Sequence, residues 1–490
     1  MRDQSCMPVP AGAAAAVIAE AGEAVRRAAG REERRLRRAA RKSRVLRRRQ
    51  AEAERREEQR RGRRRSEEER LRAAAERARE ARLEQVSALR EASGGSILDC
   101  FAAVFDPRGR RGRRYPLPCV LALVVTAMLH GKAKLADITA WIGNAGQDDL
   151  AVLGARAGPD GKRAAPCGRT VTRILALVSP RALSRAVAAW LAKAEQGGPV
   201  TFPLAGPVLL PHVACDGKEV RGAVRPDGTS LFLLSAATAG TGRPVVLADR
   251  EIGAKASEIP ELGPLLLELS ERFPLSGQVI SADALHTQRA LATLVTEQLQ
   301  AHYLFTVKGN QPGLHDALAA LCWAGARRHV TSGEGHGRRE RRSHLLMDAP
   351  EEIRKLFPQV RQVAKVIRTR TVTTWKNNGK QRTRVTKTSA ETVYLVTSLS
   401  AREAAPQHIA AYARQHWSIE NQVHLVRDVT LREDASKVHA DDRARNLATL
   451  RNAEMGLIRQ HGRTGIAATI RQAEYDKDLI HALLRLEPAT

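Results

Sequence analysis

Apolar residues recur at helical spacing from Leu117 to Ala155, interrupted at Gly131 and at a polar Gly143–Asp148 turn. A second helical pair is predicted over Thr170–Leu177 and Ala182–Ala194, with Pro180 between them. Residues 96–200 therefore read as a small helical domain. After Pro207 the period shortens to that of strands. Val208–Cys215, Ser230–Ala239 and Pro244–Ile252, separated by glycine turns at Asp227-Gly228 and Gly240–Gly242, predict a three-stranded meander. A helix over Ser257–Arg272, a strand over Gln278–Ala282, a helix over Thr287–Leu299 and a strand over Tyr303–Val307 come next. Strands alternating with helices in this way pair in parallel.

Three hairpin-linked strands followed by helix, strand, helix and strand is the chain order of a ribonuclease H-like α/β core. From about residue 327 to 400 the pattern turns β-rich and basic, which predicts an antiparallel sheet inserted into that core. A long helix then opens near Ala405-Pro406 and carries Glu420. The expected organisation is a basic arm over 1–95, a helical domain over 96–200, an α/β domain over 201–460 with its β insertion, and a helical tail over 461–490.

A chain of 490 residues is long enough for two or three domains. Its formal charge of +28 favours a polyanionic partner, because each neutralised phosphate releases counterions. Residues 21–90 alone hold 26 Arg or Lys against 13 Glu, with almost no apolar stripe, so this arm reads as solvated, disordered or a non-specific DNA-binding segment. The six cysteines are scattered without a Cys-x-x-Cys pair, which argues against a zinc ribbon or a disulfide framework. The longest apolar run, Cys119–Leu129, is far short of the roughly 20 residues of a membrane span. No secretory signal pattern is visible either. The expectation is a cytoplasmic protein, associated with the nucleoid when bound to DNA.

Three acidic residues stand in individual settings: Asp216 in Val-Ala-Cys-Asp-Gly-Lys, Asp283 in Ser-Ala-Asp-Ala-Leu-His-Thr-Gln, and Glu420 in His-Trp-Ser-Ile-Glu-Asn. Converging carboxylates repel by about 4 kcal/mol at 4 Å in an effective dielectric near 20, so such a trio needs a cation. Two Mg²⁺ ions held by two or three acids can activate an oxygen nucleophile and stabilise the leaving oxygen at a phosphodiester. Each acid also has a plainer reading. Asp216 is expected to end the first strand, where Asp-Gly equally marks a hairpin turn. Asp283 closes a strand ahead of a helix and equally suits an N-cap. Glu420 in a helix equally suits a solvated surface. His416, Glu420 and His424 share a face at four-residue spacing, which suits zinc, although no His-Glu-x-x-His pattern is present.

Several blocks together resemble the DDE transposases of bacterial insertion sequences, in the ISAs-type branch. They are Asp106-Pro-Arg, Arg111-Gly-Arg-Arg-Tyr-Pro-Leu, Asp216-Gly-Lys with Arg221-Gly, Ala282-Asp-Ala-Leu-His-Thr-Gln, Tyr303-Leu-Phe-Thr-Val-Lys-Gly-Asn-Gln-Pro, Gly335-His-Gly-Arg, and His416-Trp-Ser-Ile-Glu-Asn continuing to Asp428-Val-Thr and Glu433-Asp-Ala-Ser. The resemblance covers about residues 96–460 and implies a helical associated domain ahead of a ribonuclease H-like catalytic core. It places Asp216, Asp283 and Glu420 in the catalytic, metal-binding triad, with Mg²⁺ as cofactor and Mn²⁺ as its substitute. The implied reaction is cleavage of double-stranded DNA at element ends followed by strand transfer into target DNA, by a homo-oligomer assembled on DNA. The residues expected to contact DNA are Lys218, Arg221, Lys308, Asn310, Gln311, His336, Arg338, His416, Trp417, His424 and Arg427. One departure stands out. Where related enzymes show Tyr-x2-Arg-x3-Glu-x6-Lys, this chain has Ala413, His416, Glu420 and Arg427. A catalytically inactive DNA-binding derivative and a nuclease without strand transfer are the alternatives.

Overall fold

The structure, a computed structural model, describes Gly22, Gly30 and residues 95–196, 209–240, 243–253, 258–335, 338–378, 381–463 and 465–484. The expected basic arm, apart from two glycines and Gly95, and the candidate His336 lie outside the described residues. The chain divides into two compact units, Met1–Leu83 and Glu84–Thr490, and the elements below all belong to the second.

That unit opens with helices α1 (Ile97–Ala102), α2 (Leu117–Leu129), α3 (Leu135–Gly143), α4 (Gln147–Val152), α5 (Gly168–Leu177) and α6 (Pro180–Gln196). Helix α2 is apolar on every side and packs against α1 and α3. Pro180 opens α6 instead of merely separating two helices, since a missing N–H costs nothing in a first turn.

The strands follow as β1 (His212–Val224), β2 (Ser230–Ala239) and β3 (Val246–Ile252), then helix α7 (Glu258–Ser270), β4 (Val279–Ala282), α8 (Arg289–Thr293) and β5 (His302–Val307). Strand β1 pairs antiparallel with β2 and parallel with β4, and β4 pairs parallel with β5. The resulting order, β3-β2-β1-β4-β5, is the sheet of a ribonuclease H-like core. After α9 (Pro312–Ala320) the insertion adds β6 (Arg327–Gly335), β7 (Arg338–Asp348), α10 (Glu351–Leu356), β8 (Gln362–Asn378) and β9 (Gln381–Thr397). Because β9 pairs antiparallel with β5, the insertion extends the core sheet as β5-β9-β8-β7-β6.

Helix α11 (Pro406–Ser418) lies against β1, β4 and β7. The chain then forms the short strand β10 (Val438–His439), which runs parallel to the end of β1, and helices α12 (Asp442–Gln460), α13 (Ile466–Ala473) and α14 (Lys477–Leu484). Helix α12 is buried over most of its length and packs on α2, α5 and α6, so the helical region and the sheet share one apolar core. No single helix among the described residues is long and apolar enough to cross a membrane.

Two expectations change. Strand β1 does not end at Asp216, and Asp216-Gly217 is not a hairpin turn. The strand continues because β2 keeps pairing past this point, with Asp216 opposite Ser235 and Lys218 opposite Leu233, and the turn falls at Asp227-Gly228, where Gly228 has φ +84°. Gly217 serves packing instead, since a Cβ there would collide with the Glu258 carboxylate. The long helix carrying Glu420 is not α-helical throughout: Ile419–His424 and Val426–Thr430 are π-helical.

A close backbone approach sets the first test. A Cβ on Gly222 would stand 2.6 Å from the Ser436 carbonyl oxygen and 2.7 Å from that of Glu433, both backbone atoms that cannot swing aside. Gly222→Ala should therefore push this loop off β1 and cost on the order of 1–3 kcal/mol. A thermal unfolding midpoint equal to that of the unmodified protein would contradict this.

Candidate active site

The register of β1 and β4 brings the two aspartates together. Cys215 lies opposite Ala282 at the carboxyl end of a parallel pair, so Asp216 and Asp283 emerge side by side from strands about 4.8 Å apart. Strand β4 ends here while β1 continues, and the gap this leaves is a place where open α/β sheets expose functional groups. Asp283 caps the short turn Ala284–His286, accepting a hydrogen bond from the Ala284 amide at 2.6 Å, so its expected capping position is real and still leaves the second oxygen free. Asn310 donates to the Ala284 carbonyl at 2.6 Å and steadies this turn.

Asp216, Asp283 and Glu420 all line one cleft of about 1310 Å³, which also takes in Lys308, Arg338, Arg342, Arg368, Arg414, His416 and Trp417. The cleft exceeds the roughly 300–1,000 Å³ of a small-molecule pocket. Its floor is the carboxyl edge of the core, one wall is α11, and the other is the insertion sheet. Within that wall Glu340 pairs with Arg342 and Arg368, Glu391 with Arg368, and Glu334 with Arg339. Asp283 and Glu420 have no ion-pair partner among the described residues, and Asp216 has only His424, at 3.3 Å. The uncompensated negative charge of the cleft therefore sits on these three acids. Burial pushes the Asp216 carboxyl up, but the hydrogen bond and charge of His424, with His416 nearby, outweigh it and hold the group below its usual range.

His416 is fixed from behind. The Ser281 hydroxyl lies 2.9 Å from His416 Nδ1 and 2.7 Å from Nε2 of the buried His212, whose Nδ1 lies 3.2 Å from Gln415 Oε1. Burial lowers the His212 pKa to about 3, so this ring stays neutral at any ordinary pH. Burial also lowers His416, against the pull of Asp216 and Asp283.

The basic candidates separate. Lys308, Arg338, His416 and Trp417 face the cleft, and Arg221 is exposed outside it. Gln311 approaches Gln288 at 3.4 Å, and neither it nor Asn310 lines the cleft. Lys218 and Arg427 are both buried, Lys218 among Asp428, Glu433 and Asp434, and Arg427 on Glu433 through bonds of 3.0 and 2.8 Å. His424 is buried against Asp216. The reason lies in the π-helix. Each of its turns takes up an extra residue, so seven positions after Glu420 no longer return to the same face, and Arg427 turns inward. Of the three residues whose spacing suited zinc, His416 and Glu420 line the cleft, whereas His424 is buried against Asp216. Among the described residues there is no group of three or more His, Cys, Asp or Glu side chains close enough to form a metal cage.

Sequence reasoning missed His212, Ser281, Glu258 and the whole ion network around Glu433. The Glu433-Asp-Ala-Ser block signalled importance without saying for what. In the structure Glu433 is 1% exposed and joins Arg427, Lys218 and Arg451, which is 3.3 Å away. Burial alone would raise its pKa, but Arg427, Arg451 and Lys218 outweigh that and pull it to about 2.

Glu433→Gln should therefore leave buried cations short of counter-charge and destabilise the protein by about 3–5 kcal/mol. Because the folded-state pKa is depressed, the stabilisation is complete above about pH 4.5 and is lost as pH falls toward about 2. The unmodified protein should lose thermal stability across that window, and Glu433→Gln should show a shallower loss. Parallel acid profiles for the two proteins would refute this account.

Comparison with known proteins places these features. Residues 98–191 match the family model described as DDE_Tnp_1-associated, and residues 210–453 match that of the Transposase DDE domain. The chain is 25% identical to "Putative transposase YncI" of Escherichia coli O157:H7, over 74% of this chain and 87% of that protein. It is 22% identical to "H repeat-associated putative transposase YhhI" of Escherichia coli strain K12, over 79% of this chain and 97% of that one. A cryo-EM structure of a piggyBac transposase synaptic complex with hairpin DNA covers 75% of this chain and 71% of its own at 11% identity, with a TM-score of 0.36, a likeness too loose to carry detail. On the strength of the two matching models and these relatives, the chain belongs to the DDE transposase family.

Proposed function

We propose that this protein is an active transposase of the ISAs-type branch, which cuts double-stranded DNA at the ends of its insertion sequence and joins the freed 3′ ends to target DNA. Asp216, Asp283 and Glu420 are its catalytic carboxylates, and it works in the cytoplasm as a homo-oligomer on DNA. The observation that carries this reading is the alignment of Asp216 with Asp283 on adjacent parallel strands, in a cleft that Glu420 also lines.

The donor set fits a hard dication. Any two like charges that converge without a cation repel, by about 3 kcal/mol at 5 Å in an effective dielectric near 20. Mg²⁺ keeps several waters and takes one or two carboxylates plus substrate phosphates. Asp216, Asp283 and Glu420 would hold Mg²⁺, with Mn²⁺ able to substitute. When bound, it supplies Lewis acidity at the phosphoryl oxygens and a lowered pKa for the attacking water.

The chain's own residues do the rest. If Gln415 accepts from His212 Nδ1–H, then His212 Nε2 accepts from the Ser281 hydroxyl, which in turn accepts from His416 Nδ1–H. That leaves His416 Nε2 as the acceptor facing the acids. Lys308, Arg338 and Arg414 supply cleft-facing charge for the DNA backbone, and Trp417, 53% exposed, supplies a flat face on which a base stacks.

Purified protein should nick and then join DNA carrying its own element ends, only with Mg²⁺ or Mn²⁺. Asp283→Asn should lower both rates by several orders of magnitude and leave binding intact. Full activity in that variant would end this assignment, nicking without joining would mark a nuclease, and binding without nicking by the unmodified protein would mark an inactive derivative. Trp417→Ala should weaken binding to end-containing DNA by about 1–3 kcal/mol, read by fluorescence anisotropy. Unchanged affinity would exclude stacking at this position.

A further inference from the structure

We propose that Glu258 and His286 are a positioning pair for the two aspartates, a buried brace that ties the turn following Asp283 to the strand residue following Asp216. The pair thereby fixes the spacing at which the two carboxylates meet a dication. The proposal rests on the reading of these acids as metal-holding groups and names what keeps them in place.

The need for a brace follows from where the sheet stops. Backbone pairing between β1 and β4 ends with Cys215 opposite Ala282, one residue short of each acid. Past that pair the separation of Asp216 and Asp283 is left to side-chain contacts, although a working site needs its groups held to a fraction of an ångström.

On the Asp283 side, the turn Ala284–His286 is gripped toward β5. Asn310 donates to the Ala284 carbonyl at 2.6 Å, and the Thr287 hydroxyl donates to the Thr306 carbonyl at 2.6 Å. Its hold toward β1 runs through His286. The His286 amide donates to the Asp283 carbonyl at 2.9 Å, which ties the two residues within one turn. The ring is buried, and neither of its nitrogens has a hydrogen-bond partner among the described residues. Its ion-pair contact is with Glu258, Nε2 to Oε2 at 3.4 Å, and burial leaves that attraction little screened.

On the Asp216 side, Glu258 is buried as well. Consecutive strand residues face opposite ways, so Asp216 turns to the cleft and Gly217 to the other face. The Glu258 carboxylate takes the place of a Gly217 side chain: a Cβ there would lie 2.6 Å from its carboxyl carbon and 2.9 Å from Oε2. Glycine at 217 thus lets a carboxylate reach the strand backbone directly beside Asp216. Glu258 also opens α7, where the helix dipole favours negative charge. A buried carboxylate and a buried imidazole with so few partners are costly as mere packing. Their place between the two acid-bearing segments accounts for that cost.

Two measurements on the full chain without DNA test the brace: deuterium uptake in EDTA over peptides spanning Val279–Arg289, and Mn²⁺ binding followed by electron paramagnetic resonance. Glu258→Ala should speed uptake in the Asp283 turn and leave uptake in β2 unchanged. It should also weaken Mn²⁺ binding about tenfold, the loss expected when a group supporting metal ligands is removed. Glu258→Gln keeps an oxygen toward His286 and should recover most of both effects. Glu268→Gln, on the same helix but paired with Arg181, should alter neither. Replacing both partners by apolar groups is nearly neutral for folding, so Glu258→Met with His286→Leu should keep the thermal midpoint and still show both changes. The proposal is overturned if this double variant takes up deuterium at the unmodified rate, or if Glu268→Gln matches Glu258→Ala. If the unmodified protein and Asp283→Asn bind Mn²⁺ alike, the metal-holding reading fails, and the uptake result alone decides whether the pair braces the turn.

Discussion

One buried carboxylate holds the two halves of the site in register. Glu433 sits between Lys218 of β1 and Arg427 of the π-helical segment, with Arg451 of α12 completing the cluster. Lys218 lies two residues beyond Asp216, and Arg427 lies seven beyond Glu420. The network therefore ties the strand that carries one acid to the helix that carries another. Such a cluster contributes little net stability against apolar packing of equal volume, but breaking it strands charges in a low dielectric. Its geometric effect is the important one: β1, the π-helix and α12 cannot shift independently.

The cleft is built on the same division of labour. Each acid of the insertion sheet that faces it has an arginine partner, so this wall is internally neutralised and presents its remaining cations outward. The floor is left acidic. A polyanion would be drawn to the wall and repelled by the floor unless dications intervene, which is the charge pattern expected of metal-assisted phosphoryl transfer. Behind the floor, the His212–Ser281–His416 chain orients one ring without adding charge, because burial keeps His212 neutral.

Much of this was legible before folding. The strands Ser230–Ala239 and Tyr303–Val307 appear almost where alternation put them, because their partners bury one or both faces and the period follows. The positions of Asp283 and Lys308 at strand ends were equally readable. Asp216-Gly217 misled because its glycine answers to Glu258, a residue distant in the chain whose approach no local pattern encodes. The burial of Lys218, His424 and Arg427 was unreadable for a similar reason. A cation that faces phosphate and one that neutralises a buried acid are the same letter in a sequence.

By itself the sequence determined the order of elements, the basic character of the chain and the identity of three conspicuous acids, since these depend on composition and on periods of two and 3.6 residues. Tertiary structure alone decided the pairing of Cys215 with Ala282 that sets Asp216 beside Asp283, and the π-helical winding that turns Arg427 inward while leaving Glu420 at the cleft. Register and winding depend on contacts between segments tens to hundreds of residues apart, and those contacts exist only once the chain has closed on itself.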